Sequence, residues 1–140
     1  SLGGATHALV AQSANKGYGD QFIALTDGKL RFGRGSAVGG GSFDERGSRV
    51  ITLDKFTHWA ITFDGENARG FLDGYLEFTF PCQGWVNAPG DFNIGRNLNI
   101  GFTPTGSDAD FDDFRVTKGV ARYTQAFIPT DKPFPNTGPA

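Results

Sequence analysis

Short runs of alternating apolar and polar residues recur along the chain, separated by breaks that contain Gly and Asp. "QFIALT" (21–26) passes through Asp27-Gly28 into "KLRFG" (29–33). "HWAITF" (58–63) passes through "DGEN" into "ARGFL" (68–72), and Asp73-Gly74 then turns the chain into "YLEFTF" (75–80). In the last run Tyr75, Glu77 and Thr79 alternate with Leu76, Phe78 and Phe80, the pattern of a strand with one buried face. An Asp-Gly pair between two such runs predicts a hairpin, because residues that tolerate φ > 0 are needed in so tight a turn. Further strands are predicted at "HALVAQ" (7–12), "RVITL" (49–53), "DFNIG" (91–95) and "DFDDFRV" (110–116). About nine short strands at this spacing predict an all-β antiparallel sandwich.

The segments between strands read differently. "GRGSAVGGGSFDERGS" (33–48) is rich in glycine and predicts a mobile excursion. The proline-rich tail from Ile128 onward should run extended over the surface without joining a ladder. One helical turn around Val120 to Thr124 is the only helix expected. A chain of 140 residues fits one domain, assigned to residues 1–135 with a tail at 136–140.

Composition narrows the function classes. Thirteen basic against fifteen acidic residues leave a net charge of −2, which argues against a nucleic-acid or anionic-membrane binder. No apolar run approaches the roughly 20 residues of a membrane-spanning helix. Cys82 is the single cysteine, so neither an intrachain disulfide nor a cysteine metal cluster is expected. Methionine is absent even at position 1, so these residues are expected to be a processed piece or part of a longer polypeptide.

The densest candidate chemistry is "DADFDDF" (108–114). Asp108, Asp110 and Asp112, with Asp113 beside them, offer oxygen ligands of the kind calcium favours. The spacing excludes an EF-hand loop, and a charge run is more often a solvated strand edge. No metal or other cofactor is therefore expected, with calcium at these aspartates the minor alternative. Paired carboxylates for glycoside hydrolysis are poorly provided: Glu45, Glu66 and Glu77 are the only glutamates, and no two share a predicted strand. His58 has no second histidine at metal-binding spacing and reads as a structural residue. Arg31, Arg34, Arg46 and Arg49 surround the Gly-rich loop, but Asp44 and Glu45 interrupt them as a polyanion site. The better binding candidates are aromatic residues in loops: Tyr18 in "NKGYGD" and Trp85 in "CQGWVN", the latter followed by Asn87. A flat ring beside amide groups suits the C–H faces and hydroxyl edges of a sugar. The competing role for Trp85 is to fold back over the sheet.

Three stretches carry a resemblance to a known family. "KFTHWAITFDGENARGFLDGYLE" (55–77) resembles the "Trp-x-His-Val-Ala-hydrophobic-Thr … Asp-Gly" hairpins of the laminin-G-like, concanavalin A-like lectin/glucanase jelly roll, with Phe56 at the usual Trp position and Trp59 replacing Val. "DFNIGR" (91–96) is similar to the family's strand ending in Ile-Gly. "DFDDFRVTKGVARYTQAFIPTDKPFP" (110–135) is similar to the closing segment of phage virion and tail-fibre copies of the fold.

The resemblance implies a jelly roll whose last core strand is "DFDDFRV", with "KGVARYTQAF" strapped onto the sandwich. Arg122 would pair with a nearby Asp, and Tyr123 and Phe127 would cover the sheet edge. It implies no enzymatic activity but a lectin-like module of a phage particle (tail fibre, tail-associated or capsid-surface protein) located in the virion. That module would serve host-glycan contact or assembly, and its partners would be other virion subunits or further copies of itself. A carbohydrate-binding or adhesion module of a bacterial surface protein or secreted glycanase is the alternative. Family members usually carry N-terminal strands that these residues lack. An edge near "HALVAQ" or "RVITL" is therefore expected to be covered by a partner.

Overall fold

A computed structural model describes residues 6–13, 20–35, 41–82, 84–86, 90–95 and 109–134. Eight strands and no helix occur among them: β1 (Thr6–Ser13), β2 (Asp20–Thr26), β3 (Lys29–Arg34), β4 (Phe43–Val50), β5 (Trp59–Phe63), β6 (Asn67–Leu72), β7 (Tyr75–Pro81) and β8 (Phe92–Ile94). They form two antiparallel sheets, one five-stranded in the order β4-β3-β2-β1-β8 and one three-stranded in the order β5-β6-β7. The predicted all-β sandwich is the observed one.

The Asp-Gly pairs behave in two ways. Asp27-Gly28 (φ 53° and 74°) and Asp73-Gly74 (49° and 79°) have positive φ at both residues, as the primed hairpin turn requires. At the third pair only Gly65 is left-handed, at 101°. There the Asp64 carboxylate accepts the N–H groups of Glu66 and Asn67 at 3.0 and 2.8 Å, closing the turn from its side chain.

Apolar side chains from the facing sheets meet in one core. Leu9, Val10, Ile23, Leu30 and Phe32 come from the larger sheet, and Ala68, Leu72 and Phe78 from the smaller. Phe32 is fully buried at its centre, edge-on to Phe43 (4.7 Å) and Phe63 (5.8 Å). Register slips between Ala8 and Val10, so both Leu9 and Val10 reach the core. Gly70 lies under the ring of Phe78 on the neighbouring strand, where a Cβ would collide with it.

Four expectations need correction. The strand expected at 49–53 instead covers Phe43–Val50, taking in the end of the segment read as a mobile loop, whose centre (36–40) lies outside the described residues. It is an edge strand that sends only Phe43 into the core, so it lacks the apolar alternation that sequence reading seeks. "HALVAQ" is not an edge, because β1 is paired on both sides, to β2 and β8. "DFDDFRV" is not a strand: Asp113 adopts φ 49°, which breaks the extended path, and residues 110–116 join no ladder. The turn at 120–124 is likewise not helical.

Residues 109–134 instead cover the sandwich. Phe114 lies 6.4 Å from Phe92 of β8 and 6.3 Å from Trp59 of β5, spanning the side between the two sheets. Further on, Tyr123 and Phe127 stack face to face and lie against Phe71 and His58 on the outer side of the small sheet. Phe71 is 0% exposed although Ala68 and Leu72, its neighbours of opposite parity, face the core. The strap is pinned by Phe127 N–H to the Gly74 carbonyl (3.0 Å) and by the Thr62 hydroxyl to the Tyr123 carbonyl (2.7 Å). Arg122 donates to the Thr117 hydroxyl at 2.7 Å rather than to an aspartate.

Candidate functional site: the cleft at one end of the sandwich

Register brings Gln12, Gln21, Arg34 and Phe43 into one row across the large sheet. The β5–β6 turn and the end of β7 reach the same end of the molecule, since Cys82 N–H bonds to the Glu66 carbonyl at 3.0 Å. Between them lies a cleft of about 320 Å³ lined by Arg34, Ser42, Phe43, Glu66, Pro81 and Cys82 among others.

Arg34 organises this end. Its side chain lies on the core parity of β3, and the residue is 3% exposed. It donates to the Gly41 carbonyl (2.9 Å) and the Gly84 carbonyl (3.0 Å), while its guanidinium lies 4.7 Å above the Phe43 ring. A buried cation bonded to two loop carbonyls holds both rims of the cleft in place. The Ser42 hydroxyl and the Glu66 carboxylate are the exposed polar groups of the lining. Together the cleft presents a hydroxyl, a carboxylate and apolar patches, a donor–acceptor set that fits a polyhydroxylated ligand.

The adjoining loop is tied down by two glutamines. Gln21, fully buried, accepts the Val86 N–H at 3.0 Å and donates to the Val86 carbonyl. Gln12 donates to the Gly90 carbonyl at 3.1 Å and accepts from the Trp85 indole N–H at 2.9 Å. The Trp85 ring stacks on Phe32 (6.3 Å, 8° between planes) and touches Phe92 edge-on. Trp85 thus folds back onto the core, and one ring face and its N–H are already engaged. Tyr18 and Asn87 lie outside the described residues, although Ser13 and Asp20, which flank the Tyr18 loop, pair at this end. Gln12, Gln21 and Arg34 were missed in the sequence. The available signal was a polar residue at core parity in an otherwise apolar strand.

Elsewhere the sequence candidates separate. Asp110 and Asp112 are exposed at the β5–β8 side, and the Asp112 carboxylate accepts the Asp113 N–H at 2.9 Å; Asp108 lies outside the described residues. No group of three metal-capable side chains occurs among the described residues. The four arginines around the Gly-rich loop do not form one patch. Arg31 makes a two-pronged bond to Asp44 (2.7 and 2.9 Å), Arg46 reaches the same carboxylate, Arg34 is buried, and Arg49 pairs with Glu77. The Arg31 hydrogen bond holds the Asp44 carboxyl below its ordinary pKa. His58 is pushed below its ordinary value by burial, against the partial opposition of Asp73.

Residues 1–124 match the family model described as the concanavalin A-like lectin/glucanases superfamily. The chain belongs to that superfamily. No curated protein and no solved structure matched it. Superfamily membership accounts for the two facing antiparallel sheets and directs attention to loop-built clefts such as the one around Arg34.

Proposed function

We propose that the chain is a non-catalytic carbohydrate-recognition module that uses the Arg34 cleft. The observation that carries this reading is the cleft itself, a concave, rigidly held end on a lectin/glucanase-superfamily sandwich, with Ser42 and Glu66 exposed in its lining. Glycoside hydrolysis needs two carboxyl groups facing one cleft about 5–10 Å apart. Among the described lining residues Glu66 is the sole carboxylate, and Glu77 is committed to Arg49 and the backbone of β4. The closing segment 110–135, with its resemblance to phage virion and tail-fibre domains, supports a place on a phage particle, where such a module would contact host-surface glycan.

The test is binding of the purified chain to a panel of bacterial surface polysaccharides, followed by calorimetry on those retained. The expected outcome is saturable binding that weakens about tenfold, near 1.4 kcal/mol, in Ser42→Ala or Glu66→Gln, without release of reducing ends. Binding indifferent to both substitutions would remove the cleft from the proposal, and hydrolysis would remove the non-catalytic assignment. Mass spectrometry of purified phage particles carrying the chain tests its virion location.

A further inference from the structure

Phe71 of β6 is kept dry on the outer side of the small sheet by a stacked pair of rings. Tyr123 and Phe127 lie 3.6 Å apart and nearly parallel, and both rings meet Phe71 edge-on. The pair is bonded to the sheet through the Gly74 carbonyl and the Thr62 hydroxyl. Arg115 braces it from the side: its guanidinium donates to the Tyr123 hydroxyl at 3.4 Å and lies 3.9 Å over the Phe134 ring. Residues 115–134 belong to no strand ladder, so they can lift as a unit without breaking one.

His58, immediately before β5, sits under the edge of this cover. Its ring meets Phe127 at 5.3 Å and Tyr123 at 6.0 Å, edge-on to both. The residue is half-buried, and its Nδ1 is buried with no hydrogen-bond partner among the described residues. Two charges act on the ring from opposite elements. Asp73, in the β6–β7 turn, favours a proton on it, and the far oxygen of Asp73 faces Lys55 at 4.0 Å. Arg115, in the cover, disfavours that proton. Tyr123, the other titratable residue facing the ring from the cover, directs its hydroxyl to Arg115. Burial is the strongest influence and opposes the proton as well.

These influences divide between the part that stays and the part that lifts. Asp73 is clipped to His58 in both directions, its carboxylate accepting the His58 N–H at 2.9 Å and its own N–H reaching the His58 carbonyl at 2.7 Å. It therefore remains beside the ring when the cover opens. Arg115 and the two rings that shield the imidazole from water belong to the cover. Opening removes what opposes protonation and keeps what favours it, so uptake of the proton draws the equilibrium toward the open form. We propose that residues 115–134 form an acid-released cover, with His58 as the switch between a closed form that keeps Phe71 dry and an open form in which Phe71, Tyr123 and Phe127 face solvent. The closed form has its full advantage above about pH 6.5, where the ring is neutral in both forms, and loses it as pH falls toward the lowered value. This device goes beyond glycan recognition, since none of these residues lines the Arg34 cleft.

Residue-resolved amide exchange, corrected for the intrinsic pH dependence of exchange, tests the proposal on the unmodified chain. From about pH 7.5 to about pH 5 the protection of the Phe127 amide should fall by about tenfold or more, while that of Ala24 and Ala68, in the middle strands of the two sheets, falls much less. The midpoint of that loss should coincide with the titration of the His58 ring followed by its imidazole resonances. In His58→Gln the Phe127 protection should stay flat over the same range. Constant protection in the wild-type chain, a loss that persists in His58→Gln, a loss shared equally by Ala24 and Ala68, or two separate midpoints would each overturn the proposal. The wild-type midpoints decide the matter even if the glutamine variant does not fold.

Discussion

Gly47 of β4 lies directly against Glu77 of β7, so closely that a Cβ at position 47 would sit 2.5 Å from the carboxylate Oε2. The missing side chain makes room for a carboxylate that is 1% exposed and accepts the N–H groups of Ser48 and Arg49 while pairing with the Arg49 guanidinium at 3.2 Å. Arg49 in turn lies 3.7 Å over the Tyr75 ring. One glutamate thus joins the edges of the two sheets on one side of the sandwich, as Phe114 does with an apolar contact on the other.

Glu77→Ala should therefore destabilise the fold by about 2–3 kcal/mol, the range for hydrogen bonds to a charged group, with two backbone donors losing their acceptor. Gly47→Ala should act in the same direction by displacing the carboxylate. Urea unfolding followed by tryptophan fluorescence reads both as a lower midpoint with unchanged slope. An unchanged midpoint in Glu77→Ala would show that the sheets are held together without this clasp.

The strap gives a second prediction. Gly74 has φ 79°, and a Cβ there would run into the Phe127 carbonyl. Gly74→Ala should combine turn strain with expulsion of the strap, uncovering Phe71, and lower stability by more than about 1 kcal/mol. Phe127→Ala, which leaves the turn intact, should make Phe71 accessible to solvent with a loss of about 2–4 kcal/mol, near the lower end of buried-aromatic truncations. Proteolysis within residues 118–134 should accelerate in both variants.

Stability should fall with acid over two pH windows. His58 has a lowered folded pKa, so the unfolded chain binds its proton first; the stability conferred is complete above about pH 6.5 and declines as pH falls below it. Asp64 is held far below the ordinary carboxylate range by the N–H of Asn67, by Arg69 and by the N–H of Glu66. Asp44 is lowered by Arg31. Their contribution is complete above about pH 4 and is lost as pH falls through the depressed values. Stability measured against pH should lose its first stage in His58→Gln and soften its second in Asp64→Asn.

Chelation provides a further check. Asp110 and Asp112 are exposed, and no three-ligand group exists among the described residues. The thermal midpoint should be the same in EDTA and in millimolar calcium. A bound ion at about a hundredfold excess over Kd would add roughly 2.7 kcal/mol, so a rise of several degrees would restore the aspartates as a site.

Local chemistry made most of the fold legible from the residues alone. Alternating side chains and Asp-Gly pairs locate β1 to β3 and β5 to β8, because a strand with one dry face and a turn with positive φ each restrict residue choice directly. Glu77 was visible as a polar member of an alternating strand, but its burial against Gly47 depends on β4, which is distant in sequence and too polar to announce itself as a strand. Asp112 and Phe114 look like strand residues by the same local rules, yet a ladder needs a neighbour at hydrogen-bonding distance, and Asp113 turns the chain away. Trp85 could be a sugar platform or a core cover from its sequence context; Gln12, on the far side of the β1–β2 loop, takes its N–H. Burial of Phe71, the clasp at Glu77 and the Arg34 cleft arise only where separate strands and the strap come together, because each is set by distances between segments that no single segment encodes.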